Sequence, residues 1–291
     1  MRLLSKVNLL FVLLFGLGVS LGLYLSWRFL ESNAKDQVLE EARLMMASAS
    51  ATRTYTTESV APLLKTHQQH SQSFLPQTVP AFAATETFAY LRKTFPDYTY
   101  KEATLNPTNL RDRATDWETD VVNTFRNFPD RKEVIGERAT PDGQALYLAK
   151  PLVAKASCLE CHSTPDKAPP ALIRIYGANN GFGWKEGETI GAQIVSVPMN
   201  VPLNIANRAF HTLALAALGV VLAVVFAFNL ALRHLVIRPV TQLSGLADQI
   251  SRGDLDVPEA PAKGADEIGD LARAFNRMYV SLKKAMKMLE E

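Results

Sequence analysis

The stretch Cys158-Leu159-Glu160-Cys161-His162 holds the only two cysteines of the 291-residue chain, and a histidine follows the second cysteine directly. Two thiols at this C-x-x-C spacing can add to the two vinyl groups of one haem, and the adjacent histidine is then close enough to bind the iron. The motif therefore predicts one covalent c-type haem, with Cys158 and Cys161 as thioether residues and His162 as the proximal iron ligand.

Three other interpretations of the cysteine pair are half of a zinc site, a redox dithiol and a structural disulfide. A zinc site requires two further cysteines or histidines at matching spacing, and the neighbouring sequence offers none. A redox dithiol usually opens a helix in a thioredoxin-like unit, and the sequence has no pattern of that kind. Haem attachment is the interpretation that uses all three residues of the motif.

Two long apolar stretches lie on either side of the motif. Residues 7–27 carry no charge and would span roughly 30 Å as a helix, which is enough for a bilayer core. Residues 209–232 form the second stretch, and Arg233 follows it at once. A cleaved signal peptide is the alternative for the first stretch, but the apolar part of such peptides has only about 7–15 residues. The sequence therefore predicts two transmembrane helices.

Basic residues at the ends of both stretches predict the orientation in the membrane. Arg2, Lys6, Arg233 and Arg238 lie on one side, which identifies that side as cytoplasmic. Residues 1–6 and 233–291 are then cytoplasmic, and 33–207 form a periplasmic domain of a two-pass protein in the bacterial inner membrane. The net charge of +2 gives no global basic field for nucleic acid.

The external segment predicts an α+β domain, because helical patterns precede patterns of alternating strands. A long stalk helix is expected over 33–64, where apolar residues recur at helical spacing and proline first occurs at Pro62. Further helices are expected over 81–94 and 116–127. Strands are expected over 98–103, 144–153, 173–176 and 189–198.

Several short segments in this region resemble the Tll0287-like (DUF3365) haem domain family, and they occur in the order found there. The resemblance covers roughly 38–201 and implies a PAS-like α+β fold that carries one c-type haem. The segments are Phe74-Leu75-Pro76-Gln77, Pro80-Ala81-Phe82-Ala83-Ala84, Tyr98-Thr99-Tyr100-Lys101, Asn106-Pro107-Thr108-Asn109, Ala114-Thr115-Asp116-Trp117, the C-x-x-C-H motif and Gly181-Phe182-Gly183-Trp184.

The sixth iron ligand is the least determined part of the site. A cysteine ligand is excluded because both thiols are used in attachment. Met46 is the candidate of most interest, because a ligand on the stalk helix would turn an event at the iron into a helix movement. Core packing is the alternative for the methionines, and a polar surface is the alternative for the histidines. The other candidates are Met45, Met199, His67, His70 and no protein ligand at all.

Other residues are candidates for the lining of the haem pocket, or are ordinary core and surface residues. Arg suits a propionate because it can bind a carboxylate through two hydrogen bonds. The candidate cations are Arg111, Arg113, Arg174 and Lys185, and the candidate aromatic residues are Trp117, Tyr147, Tyr176, Phe182 and Trp184.

The segment after the second apolar stretch has two heptad seams, which are typical of helices in a coiled-coil bundle. A non-helical connector, Gly253 to Gly264, separates them and contributes Leu255 and Val257 as apolar anchors. The early Pro239, the G-D-L connector and Asp266-Glu267-Ile268-Gly269 resemble a HAMP domain. The resemblance implies an all-α parallel coiled-coil bundle of four helices from two chains. A generic coiled coil is the alternative, and both predict a homodimer.

Together these features predict a dimeric membrane haem sensor of redox state or of a diatomic gas (O2, NO or CO). Three alternatives remain: a membrane-anchored monohaem electron-transfer cytochrome, a receptor for an organic ligand with a structural haem, and a peroxidase using His70. No nucleophile elbow, P-loop or zincin motif is present, so an enzyme is not expected. Because the sequence reaches Glu291 directly after the second seam, the expected output is an unknown cytoplasmic partner or a further segment of a longer chain.

Overall fold

The computed structural model describes residues 3–64, 73–141, 143–262 and 264–290. The chain divides into two compact units. One unit comprises Arg28–Ala209, and the other comprises Met1–Trp27 with Phe210–Glu291. Each unit has its own core, as described below.

A single long helix, α1, runs over Leu3–Tyr55 and continues through a π-helical turn at Thr56–Val60 to residue 64. The sequence from Gly22 to Pro62 has no other glycine or proline, so nothing in it interrupts the backbone hydrogen bonds. The predicted stalk helix over 33–64 is therefore confirmed, with the π turn as an addition that the apolar spacing did not indicate.

The domain is built on a four-stranded antiparallel sheet with the strand order β1-β4-β3-β2. The first and last strands in the chain, β1 and β4, pair with each other. Strand β4 lies inside the sheet, and nearly all of its residues are buried. The strands are β1 (Thr99–Thr104), β2 (Val134–Thr140), β3 (Gly143–Val153) and β4 (Thr189–Pro198).

Four helices follow α1 in this unit, and the sequence predicted the first two. They are α2 (Pro80–Leu91), α3 (Asp116–Asn127), α4 (Leu159–His162) and α5 (Pro170–Tyr176). The N-cap residue of α3 is Thr115, whose backbone N–H donates to the Glu118 carboxylate at 2.7 Å in a capping box. The predicted helix over 116–127 is thus confirmed at both ends.

The prediction of a strand at 173–176 is wrong, because these residues belong to helix α5. Pro170 occupies its first turn, where the missing N–H costs no hydrogen bond. Gly177, at a φ of +79°, ends it. Strand β2 was not predicted. It is an edge strand with charged residues at Glu137 and Arg138, and its alternation of exposed and half-buried residues is weak in the sequence.

Two apolar clusters cover the two faces of the sheet. On one face, α1 and α2 pack against β1, β3 and β4, with Met46, Phe88, Leu148 and Val195 among the buried residues. On the other face, α3 contributes Phe125 and its neighbours to a second cluster. The sheet is therefore covered by helices on both sides, as expected of an α+β domain.

The second unit contains two helices that are long and apolar enough to span a membrane by length and composition. Within this unit the Asn8 amide donates to the Asn229 side-chain oxygen at 2.7 Å. Phe11 stacks on Phe228, with ring centroids 4.4 Å apart. A hydrogen bond and an aromatic contact therefore join the two apolar segments.

Helix α6 covers Asn200–Leu232 and is followed by a π-helical turn, Arg233–Ile237, and by α7 (Arg238–Ser251). Helix α8 covers Glu267–Glu290. The connector between α7 and α8 is non-helical and packs on α8: the Tyr279 hydroxyl lies 2.7 Å from the Leu255 carbonyl and 3.0 Å from that of Val257. The predicted connector and its two anchors are confirmed.

Replacing Phe125 by alanine should lower the free energy of unfolding by about 3–5 kcal/mol, because the ring is fully buried and its removal leaves a cavity under the sheet. Phe128 on the same segment is exposed and serves as the matched control. Thermal unfolding of the full chain in detergent, followed by tryptophan fluorescence, measures both variants. Equal shifts for Phe125→Ala and Phe128→Ala would contradict the assigned core.

Candidate haem site

The C-x-x-C-H motif lies on a short turn after the sheet. Strand β3 ends at Val153, a 3₁₀ turn covers Ala156–Cys158, and the one-turn helix α4 begins at Leu159. Both cysteines are half-buried free thiols. The backbone N–H of Lys155 donates to the sulfur of Cys158 at 3.4 Å. Burial, followed by the nearby charges of Glu160 and Cys158, raises the pKa of the Cys161 thiol, so this residue is a protonated thiol at neutral pH.

The ring of His162 is fixed by one strong hydrogen bond and one stacking contact. Its Nδ1 lies 2.7 Å from the Gly181 carbonyl oxygen, with Thr108 Oγ1 further away at 3.4 Å. The ring stacks on Trp184 at a centroid distance of 3.9 Å and an interplanar angle of 11°. Donation from Nδ1 to a carbonyl leaves the Nε2 lone pair as the one available to a metal.

Burial also favours the neutral form of this ring. It lowers the pKa of His162 below its ordinary value, although the hydrogen bond to Gly181 acts in the opposite direction. A metal binds the neutral imidazole, so the site holds His162 in the protonation state and orientation that an iron ligand requires.

The Gly181 carbonyl is itself held in place by Asn106. The Asn106 side-chain oxygen accepts the Gly181 N–H at 3.1 Å, and its amide donates to the Phe182 carbonyl at 3.3 Å. Two further hydrogen bonds return to the motif, from Gly183 N–H to the Ser163 carbonyl and from Trp184 N–H to the His162 carbonyl. The segments 106–109 and 181–184 therefore form a cradle around the histidine.

Glycine is required at position 181 for two reasons. Its φ is +84°, a backbone conformation that L side chains rarely adopt. A Cβ at this position would lie only 2.0 Å from Thr108 Oγ1. The backbone can approach Thr108 this closely only because no side chain intervenes.

The residues present fit a covalently attached haem. Two free thiols and an oriented imidazole lie at the spacing that one haem needs for two thioether bonds and one iron bond. Ser163 directly after the motif has a buried Oγ with no hydrogen-bond partner among the residues that the structure describes. A buried orphan hydroxyl is uncommon in a closed core, and it marks this position as the wall of a site.

The structure places the predicted distal candidate, Met46, in the apolar cluster between α1 and the sheet, where it is fully buried. Met45 and Met199 belong to the same cluster. This position agrees with a packing role, and the role of Met46 as an iron ligand stays a prediction. His67 and His70 lie outside the described residues.

The aromatic candidates divide between the site and the core. Trp184 lies at the site, against His162. Trp117 and Tyr147 pack on each other in the cluster beneath α3, on the opposite face of the sheet from Met46. Tyr176 makes an edge contact with Phe74 at 6.2 Å.

Two of the candidate cations already have protein partners. Arg111 pairs with Glu86 at 2.6 Å, and Arg113 donates to Asn180 at 3.3 Å. Sequence reasoning did not assign Asn106, Thr108 and Gly181 to the site. The only signal was the unusual composition of the two tetrapeptides that contain them.

Replacing Gly181 by alanine should destabilise the domain by about 1–3 kcal/mol more than the same change at Gly177. Both glycines have a positive φ, but a Cβ at Gly177 would meet nothing within 4 Å, so this control carries the backbone strain without the clash. Thermal unfolding of the full chain in detergent compares the two. Adding Thr108→Ala should recover part of the loss in the Gly181→Ala protein, and equal losses at both glycines would contradict the assigned contact.

Comparison with known proteins agrees with the site. A family model described as Tll0287-like matches residues 31–198, and a HAMP domain model matches residues 231–284. A solved structure, titled the crystal structure of the cyanobacterial heme-protein Tll0287, is 15% identical, covers 55% of this chain and 94% of that chain, and has a TM-score of 0.42. No curated protein matches the chain. Because the first model covers more than half of its length, this chain belongs to the Tll0287-like family, and it carries a HAMP domain after the second apolar helix.

Proposed function

We propose that this protein is a two-pass sensor of the bacterial inner membrane that carries one c-type haem and reports redox state or a diatomic gas to a cytoplasmic partner. The observation that carries the proposal is the fixed His162 ring beside two free thiols, in a chain that also has a HAMP domain. The role is non-enzymatic.

In this proposal Cys158 and Cys161 hold the haem through thioethers, and His162 binds the iron through Nε2. Bound haem supplies an iron whose charge and sixth ligand change with redox state or with gas binding. Gly181 and Trp184 keep the imidazole in one orientation, so a change at the iron reaches the protein through a rigid contact. Met46 remains the proposed residue for the sixth position.

Helix α1 is the proposed transmitter, because one helix carries both the first apolar segment and the residues that pack on the sheet. A signal shifts such a system only if it stabilises one of two arrangements more than the other. The domain boundaries proposed from the sequence put 33–207 in the periplasm, spans at 7–27 and 209–232, and residues 1–6 and 233–291 in the cytoplasm.

A homodimer is proposed from the apolar residues that α7 and α8 leave exposed in one chain. Val240, Leu271, Met278 and Leu282 fall on the heptad seams and are all exposed. In a parallel four-helix bundle, a second copy would bury these residues. This arrangement gives the HAMP domain two copies of each helix to rearrange.

The test is co-expression of the full chain with the haem c maturation machinery, followed by haem staining of a denaturing gel. The wild type and the Glu160→Gln control, whose side chain is exposed within the motif, should keep haem through denaturation. The Cys158→Ser/Cys161→Ser protein should lose it. Absence of covalent haem from the wild type would overturn the proposal.

Spectra of the same preparation in oxidised, dithionite-reduced and CO-treated forms identify the signal. A shift on adding CO supports gas sensing through an open or displaceable sixth position. A spectrum indifferent to CO supports redox sensing, and Met46→Leu should then alter the reduced spectrum. An unchanged spectrum in Met46→Leu would remove Met46 from the site.

A further inference from the structure

A buried chain of four polar side chains joins helix α1 to strands β1 and β4. Arg53 on α1 forms an ion pair with the Glu102 carboxylate on β1. The Tyr100 hydroxyl donates to Glu102 at 2.7 Å, and the Gln193 amide donates to that hydroxyl at 2.8 Å. Glu102, Tyr100 and Gln193 are buried, and the Arg53 side chain is 29% exposed. Nothing proposed so far for this protein uses these four residues.

The chain lies toward the end of the sheet that leads into the haem motif. Glu102 pairs with Gln193, which in turn pairs with Lys150, three residues before β3 ends at Val153. The motif begins five residues after that end. The Met46 cluster covers the same sheet face further from the motif, so the polar chain lies between the apolar core and the site.

Electrostatics independently place Arg53 near the motif. Burial lowers the pKa of Arg53, the Glu102 carboxylate raises it by more, and negative charge on Tyr100 and on Cys158 adds further increases, so the net shift is upward. An influence of the Cys158 charge on Arg53 means that the guanidinium is within electrostatic range of the sulfur that would carry the haem.

A buried ion pair is a poor way to stabilise a fold, because the desolvation of two charges offsets most of their attraction. The same pair is well suited to respond to a change of charge nearby, because the low local dielectric strengthens every interaction it makes. Arg43 on the same helix offers the contrast, since its partners Glu40 and Glu133 are largely exposed.

We propose that Arg53 is a positioning residue that couples charge at the haem site to helix α1, with Glu102 as the counter-charge that holds it. One-electron reduction by an external donor lowers the net charge of the site by one, which strengthens its attraction for the Arg53 guanidinium. Because Arg53 is part of α1, the change in attraction acts on the helix that carries the first apolar segment. The proposal deepens the sensor function and rests on it.

Two charge-removing variants of the full-length holoprotein give opposite expected shifts. Arg53→Gln removes a cation, favours the oxidised site and lowers the midpoint potential. Glu102→Gln removes an anion and raises it. A unit charge about 10 Å away at an effective dielectric of about 20 changes the oxidised-to-reduced ratio by roughly tenfold, which is about 59 mV for a one-electron couple.

The measurement is a spectroelectrochemical titration in detergent, with Arg43→Gln as the matched control. The control should change the ratio at a fixed potential by less than about twofold, because exposed charges are screened by solvent and salt. Arg53→Lys keeps the charge and should stay closer to the wild type than Arg53→Gln. If Arg53→Gln does not fold, Glu102→Gln still tests the sign, because it leaves Arg53 in place.

Opposite shifts in the two variants support the proposal. A purely structural role would let water into the site in both variants and move both potentials in the same direction. Shifts of one sign, or shifts no larger than that of Arg43→Gln, would therefore overturn the role of Arg53 while leaving the haem site intact. A wild-type protein without covalent haem would overturn the proposed function, and this inference with it.

Discussion

The hydrogen bond from His162 Nδ1 to the Gly181 carbonyl is the interaction on which the site depends. It selects the tautomer, leaves Nε2 for a metal, and holds the ring flat against Trp184. The carbonyl can reach the ring because Gly181 has a positive φ and Asn106 holds the surrounding turn from the other side. Segments about 75 residues apart in the sequence are thus needed to orient one imidazole.

This dependence explains which parts of the site could be predicted from the sequence. Cys158, Cys161 and His162 are adjacent, and their spacing alone indicates the chemistry. The partner of His162 comes from a turn 19 residues later, and Glu102 meets Arg53 across 49 residues. Contacts of this kind depend on the register of the sheet, which no local pattern specifies. Asn106 and Gly181 lay in segments that identified the family, but their task became visible only in the folded chain.

The fold shows the same division. Long periodic elements such as the stalk helix and α3 could be predicted, because many residues repeat the same signal. The short segment at 173–176 could not, because its alternation of apolar and polar residues also fits two turns of a helix, and Pro170 decided between them. Strand β2 was missed because an edge strand buries little, so its apolar pattern is weak.

Helix α1 connects the functional parts of this account. It contributes Met46 to the apolar core, Arg53 to the buried polar chain and Asn8 to the hydrogen bond with Asn229 in the other unit. On the cytoplasmic side proposed here, a π-helical turn at Arg233–Ile237 precedes the HAMP helices, and such turns often occur at functional positions. A sensor needs continuous helices of this kind, whereas an electron carrier needs only an anchor.

The most direct test of the central claim is the distance between two HAMP helices in the two redox states. Met278 is exposed on α8, and in holoprotein with both native thiols in thioethers a Met278→Cys variant offers one site for a spin label. Pulsed dipolar spectroscopy of the labelled full-length dimer would be recorded before and after reduction with dithionite. A sensor predicts distance distributions that differ between the two states, and identical distributions in a dimer with intact haem would contradict it.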